Sequence, residues 1–180
     1  MAATPLEIYK AQAMVLVPVV KALEKELGAE KAQRLIRDAI GEHFRSFGNV
    51  AFAGTQDEHG VHFGKRIHAL MDMFSAGEAL EWEVQESSDS NLRFRVNRCK
   101  YAEFYKELGA PELGFLFVCY QDYPFTKGMD DRAVLDRPQT IMQGADHCQF
   151  NWYLQKDKAS AQAARRVQEA KAQGSTEASS

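Results

Sequence analysis

Apolar positions in the first quarter of the chain recur at the spacing of a helix. Leu6, Met14, Val17, Val20 and Leu23 follow that period, and Gly28 supplies a stop, so the pattern predicts a helix from Leu6 to Leu27. Pro18 lies inside it and is expected to kink or divide it, because proline brings no N–H and crowds the preceding turn. Ala32, Leu35, Ile36, Ala39, Ile40 and Phe44 make the apolar face of a second helix, from Ala29 to Phe47, which Gly48 should end. The short link between the two predicts a helical hairpin. Val50 to Gly64 reads as a loop, and Lys65 to Ser75 as a helix with Ile67, Leu70, Met71 and Phe74 on one side.

The period then changes to two. Leu80, Trp82 and Val84 alternate with Glu81, Glu83 and Gln85, and Leu92, Phe94 and Val96 alternate with Arg93, Arg95 and Asn97. With the polar stretch Ser87 to Asn91 between them, these are the strands of a β-hairpin with one buried face. Lys100 to Leu108 is a short helix closed by Gly109, and Pro111 opens another that runs toward Cys119. Asp122 to Asp131, with Pro124 and Gly128, reads as a loop. Ala133 to Gln143 and Cys148 to Gln155 read as two further strands joined by Gly144-Ala145-Asp146-His147. The expected fold is α+β: an N-terminal helical hairpin packed on an antiparallel sheet with short inserted helices. Residues 1–155 form one domain in this reading. Residues 156–180 are a low-complexity tail with almost no large apolar side chain, expected to fray and to add no core.

Composition narrows the function. The chain has 22 Lys and Arg against 25 Asp and Glu, a formal charge of −3, and the two signs are interleaved. That balance offers no basic face for nucleic acid; the one dense basic group, Lys158, Arg165, Arg166 and Lys171, lies in the tail. The apolar run Ala13 to Val20 is too short to span a membrane, and the N-terminal residues lack the basic region of an export signal. A cytoplasmic protein with reduced thiols is therefore expected, and an odd cysteine count argues against a disulfide framework. A small molecule is the expected partner, with no nucleic acid and no membrane, and a homo-oligomer stays open.

Phosphate loops, dinucleotide fingerprints, nucleophile elbows and HExxH motifs are absent from the sequence. His43 and His68 fall on helices and His59 and His62 in a loop, where ordinary surface roles outweigh metal binding. The cysteines sit in more informative places. Cys99 ends a strand, Cys119 ends a helix and precedes Asp122, and Cys148 follows His147 at a strand start. Element ends display functional groups on a rigid scaffold. A thiol beside an imidazole is a candidate nucleophile or metal ligand, although a free cysteine is more often a small buried apolar residue.

Three separated segments carry a family resemblance. Asn97 to Gly114, reading NRCKYAEFYKELGAPELG, is similar to the central signature of the L-2-amino-thiazoline-4-carboxylic acid hydrolases. Cys119-Tyr120-Gln121-Asp122 resembles their Cys-x-x-Asp element, and Arg137 to Phe150 resembles their closing element. That element commonly ends Cys-Asp-Phe-Arg, where this chain has Cys148-Gln149-Phe150-Asn151, lacking a carboxylate and a guanidinium. The resemblance implies hydrolysis of a small heterocycle at an amidine-like C=N carbon, with ring opening to a carbamoyl product. Cys99, Cys119, Asp122, His147 and Cys148 are its catalytic candidates. Either a thiol attacks while His147 or Asp122 moves protons, or thiols, His147 and Asp122 hold Zn²⁺ and activate water. Arg137 and Gln139 are the substrate-binding candidates, Arg137 suiting a substrate carboxylate. The architecture implied is also distantly similar to 4-vinyl reductase domains, which bind small ligands and in some cases zinc. A non-enzymatic ligand-binding or sensory domain is therefore the alternative.

Overall fold

A computed structural model describes residues 3–52 and 63–155. His59, His62 and the tail from Lys156 onward lie outside those residues. The first helix, α1, runs Pro5–Leu27 and is set by its cap. The Thr4 side chain accepts from the Glu7 backbone N–H while Glu7 Oε2 accepts from the Thr4 N–H at 2.7 Å, and Pro5 occupies the first turn, where a missing N–H costs nothing. Pro18 does not divide α1. The carbonyl it deprives of a donor belongs to Met14, a residue open to solvent.

The second helix, α2, spans Ala29–Ala51 and passes straight through Gly48. Gly48 is buried at a crossing rather than placed at a stop. It faces α6, the helix Asp122–Met129, in the stretch expected to be a loop. A Cβ on Gly48 would overlap the Phe125 carbonyl oxygen, and a Cβ on Gly128 would overlap the Arg45 carbonyl oxygen, so the two helices meet backbone to backbone. Pro124 fits α6 because it stands in the first turn, whose N–H groups have no helical partner in any case. Gly128→Ala is expected to cost roughly 1–3 kcal/mol by overpacking this crossing. Urea unfolding measures it, and an unchanged midpoint would mean that the helices separate freely here.

The third helix, α3, is Phe63–Phe74; it packs on the sheet through Phe63, Ile67 and Met71. Strands β1 (Leu80–Ser87), β2 (Asn91–Cys99), β3 (Ala133–Asp136) and β4 (Cys148–Leu154) form one antiparallel sheet in the order β1-β2-β4-β3. The inner face carries Leu92, Phe94, Val96, Cys148, Phe150 and Trp152, all buried. The outer face pairs Glu83 with Arg95 across β1 and β2, as the alternation requires, and an irregularity between Val84 and Glu86 sets Glu86 opposite Arg93.

The strand expected over Ala133 to Gln143 is four residues long. Pro138 has no N–H to give to a ladder, and the chain leaves the sheet at Arg137. Thr140 then caps a 3₁₀ turn, Ile141–Gln143, and Gly144 closes it with φ of 101°.

Between the hairpin and β3 lie α4 (Lys100–Glu107), α5 (Pro111–Gly114) and a π-helical turn, Phe115–Cys119, which leads into α6. A second core, built from Ala13, Val17 and Val20 of α1 with Tyr101, Ala102, Tyr105, Leu113 and Leu116, sits beside the sheet core. Among the described residues no helix is long and apolar enough to cross a membrane.

Candidate functional site

The seam between the two cores is not filled. A cavity of about 80 Å³ lies there, walled by Met71 and Phe74 of α3, Leu80, Val96, Tyr101, Phe150 and Trp152. A water needs only ~10–15 Å³ of such space, so several waters or one small ring fit. The same wall contains Cys99, Cys119, Gln121, Asp122, Arg137 and Cys148. Five of the seven sequence-selected residues therefore meet at one place, although they come from β2, the π-helical turn, α6, the segment after β3, and β4.

The π-helical turn is what aims Cys119 and its neighbours. Such turns insert one residue into a helix and rotate the residues beyond it, and they recur at functional sites. Asp122 stands at the first position of α6 and is tied down from below. Its backbone carbonyl accepts from the Thr126 hydroxyl, whose oxygen accepts from the indole N–H of buried Trp152 at 2.8 Å.

Among the described residues, Arg137 is the one full cation in the wall. Its side chain is 1% exposed. One terminal nitrogen donates to Asp122 Oδ2 at 2.7 Å and the other to the Cys119 carbonyl at 2.8 Å. The guanidinium carbon stands 4.9 Å from the Tyr123 ring and 5.0 Å from the Phe150 ring, within cation–π reach. Its pair with Asp122 is therefore not a surface salt bridge.

Burial dominates the titration of the site. It pushes the Asp122 carboxyl up from 3.8 to about 6, against the opposing pull of the Arg137 charge and hydrogen bond. It also drives the Cys119 thiol well above its ordinary value, Cys99 to about 11 and Cys148 upward, so all three are neutral thiols near pH 7. Cys148 Sγ accepts from the Ile141 N–H at 3.2 Å. Among the described residues no three His, Cys, Asp or Glu side chains are grouped to hold a metal ion, so this donor set does not fit zinc.

His147 is not part of the wall. It stands in the bend one position before β4 begins, and it does not line the cavity that Cys148 lines. Its ring bonds Asp146 and meets Gln139 Nε2 at 3.1 Å, which places Gln139 in the same separate cluster. The structure groups His147 with Asp146 and Gln139 rather than with the residues of the cavity wall. Alternation along β4 places Gln149 and Asn151 on the outer face, where Gln149 Nε2 donates to Gln85 Oε1 at 2.8 Å. The two departures from the family's closing element thus lie outside the cavity wall.

Gln121 is the wall residue that the sequence reading missed. It is 4% exposed, and its amide N–H donates to the Tyr9 hydroxyl of α1. A polar residue inside the Cys-x-x-Asp element was the available signal. Among the described residues, Gln121 Oε1 and Arg137 Nε are buried here without a hydrogen-bond partner. An unmet buried polar atom is costly in a finished core and is expected where a ligand completes the set.

The family model of L-2-amino-thiazoline-4-carboxylic acid hydrolase matches residues 8–152. No curated protein is similar enough in sequence to match the chain. Among solved structures, the chain is similar to the phenol-responsive sensory domain of the transcription activator PoxR with phenol. That similarity has 13% identity and a TM-score of 0.41, and covers 91% of this chain and 82% of that one. An H-NOX domain from Shewanella oneidensis in its Fe(II)CO ligation state is 16% identical with a TM-score of 0.38, over 79% of this chain and 75% of that one.

Proposed function

The chain belongs to the L-2-amino-thiazoline-4-carboxylic acid hydrolase family, and from that premise we propose that it hydrolyses a small ring at a C=N carbon held in the inner cavity. The observation that carries the reading is the convergence of a raised carboxyl, a buried guanidinium and two unmet polar atoms on one small, mostly apolar space.

In this reading Asp122 is the general base. A carboxyl at about 6 is largely ionised at neutral pH yet far more basic than an exposed one, which suits proton transfer from water. The water oxygen bonds to the C=N carbon as its proton passes to Asp122, and the ring nitrogen's electron density rises. Arg137, beside the carboxylate, stabilises the charge that develops. The carbon's bond to the ring sulfur then breaks, the sulfur takes the proton from Asp122, and the hydroxyl proton left on the carbon passes to the ring nitrogen, leaving a free thiol and a carbamoyl product.

The neutral thiols favour water over cysteine as the attacking group. Cys148→Ser is accordingly expected to keep turnover within about tenfold of wild type, since a buried wall residue changes by one atom. Turnover of 2-amino-thiazoline-4-carboxylate is followed as release of free thiol by the purified protein. Loss of all turnover in Cys148→Ser, with a covalent adduct on Cys148 by mass spectrometry, would replace Asp122 by the thiol. The apolar wall also favours a second reading, a ligand-binding domain without turnover. Saturable binding of the same compound with no thiol released would select it.

A further inference from the structure

The inner cavity has a polar contact that hydrolysis does not use. Gln121 reaches it from the last residue before α6, and its amide is already held at one end by the hydroxyl of Tyr9. Tyr9 is itself fixed. Its ring packs edge-on against Tyr101 with centroids 5.6 Å apart, and Tyr101 donates to the Phe74 carbonyl at 3.0 Å. The amide therefore has one engaged end and one free end, the carbonyl oxygen Oε1, which is buried and unpartnered. Arg137 offers the complementary atom: its Nε is a buried donor without an acceptor, while its two terminal nitrogens are committed to Asp122 and Cys119. Two residues of the mostly apolar wall thus carry one unpartnered acceptor and one unpartnered donor.

We propose that Gln121 is a specificity-determining residue of this cavity, its Oε1 accepting a hydrogen bond from an N–H or O–H of the ligand, with Tyr9 as the positioning residue that keeps that oxygen turned inward. The ligand class is a small ring that presents a donor for Gln121 beside an acceptor for Arg137 Nε. The inference rests on the cavity being the ligand site, as the proposed function holds, but not on the ring being hydrolysed. Tyr9 and Gln121 also line the large groove between α1 and α2, so the pair forms the partition between that groove and the cavity. A ligand donor on Oε1 would hold the partition from the inner side as Tyr9 holds it from the outer.

A matched pair of probes tests the assignment: 2-pyrrolidinone, which has the N–H and the carbonyl, and N-methyl-2-pyrrolidinone, which has the carbonyl alone. Dissociation constants come from protein-observed NMR titration of the full chain. Wild type should prefer the N–H lactam by about tenfold, the worth of one hydrogen bond to a buried acceptor. Gln121→Met keeps the volume and removes the acceptor, and should reduce that preference to under about twofold, as expected when the reading atom is gone. Tyr9→Phe releases the amide and should lower the preference partway while Oε1 is still present. It also carries the test if Gln121→Met does not fold. Equal binding of both lactams by wild type overturns the proposal and leaves the cavity as a ligand site. Binding of neither overturns both the proposal and that site. A Gln121→Met protein that loses thermal stability but keeps the tenfold preference makes Gln121 a packing residue and overturns it as well.

Discussion

Arg137→Met is expected to destabilise the protein by about 3–5 kcal/mol, the usual cost of removing one member of a buried ion pair. The guanidinium is enclosed by the Tyr123 and Phe150 rings and closes two contacts at once, to Asp122 and to the Cys119 carbonyl. Methionine fills much of the space and answers neither. Asp122 is then a half-buried carboxylate without its counter-charge and relieves the strain by taking up a proton.

That gives the variant a characteristic pH dependence. In wild type the Asp122 carboxyl is raised in the folded state, so its contribution to stability is fully present below 3.8 and is lost as pH rises to about 6. Without Arg137 the folded carboxyl rises further, and the window extends upward. The deficit of the variant should therefore be largest above neutral pH and shrink as pH falls toward 5. Urea unfolding at several pH values measures it. The double change Arg137→Met with Asp122→Leu should recover most of the loss by removing both charges. A single variant as stable as wild type at pH 8 would show that the guanidinium is not an enclosed partner of Asp122.

How far the site was legible in the sequence depends on which signal each residue carried. The β1–β2 hairpin was readable because Leu80 to Val84 and Leu92 to Val96 alternate without interruption. Cys99, Cys119 and Cys148 were readable as element ends, and those ends meet at the seam between the cores. Helix α6 was not, because Pro124 and Gly128 look like breakers when taken one at a time. The proline stands where no hydrogen bond is lost, and the glycine serves the contact with α2, a partner about 80 positions away in sequence. Arg137 could not be assigned to the interior from its neighbours, since its burial depends on the chain leaving the sheet one residue before Pro138. His147 adjoins Cys148 in number, but it lies in the bend before β4 and bonds Asp146 and Gln139, partners that the spacing of the sequence does not single out. Gln121 carries no periodicity at all, and its role is visible only through Tyr9, 112 positions earlier.

Asp122→Asn then asks whether the paired carboxylate is a base or only a counter-charge to Arg137. The amide keeps the shape of the side chain, and its oxygen still accepts from Arg137, but it cannot take a proton from water. If Asp122 is the general base, turnover should fall by about 10²–10⁴-fold. In wild type kcat should rise with pH and level off above about 6, following ionisation of the carboxyl, and the residual rate of the variant should have lost that step. The fold should persist, because removing the buried negative charge also removes its desolvation cost and so offsets part of what the pair with Arg137 contributes. Ligand affinity should change much less than rate, since the unpartnered polar atoms Gln121 Oε1 and Arg137 Nε are untouched by the change. Thiol release measured across pH 5–9, beside binding of the same compound, separates these effects. A variant with unchanged turnover would show that the proton goes elsewhere, and Asp122 would then serve only to hold Arg137 in the wall.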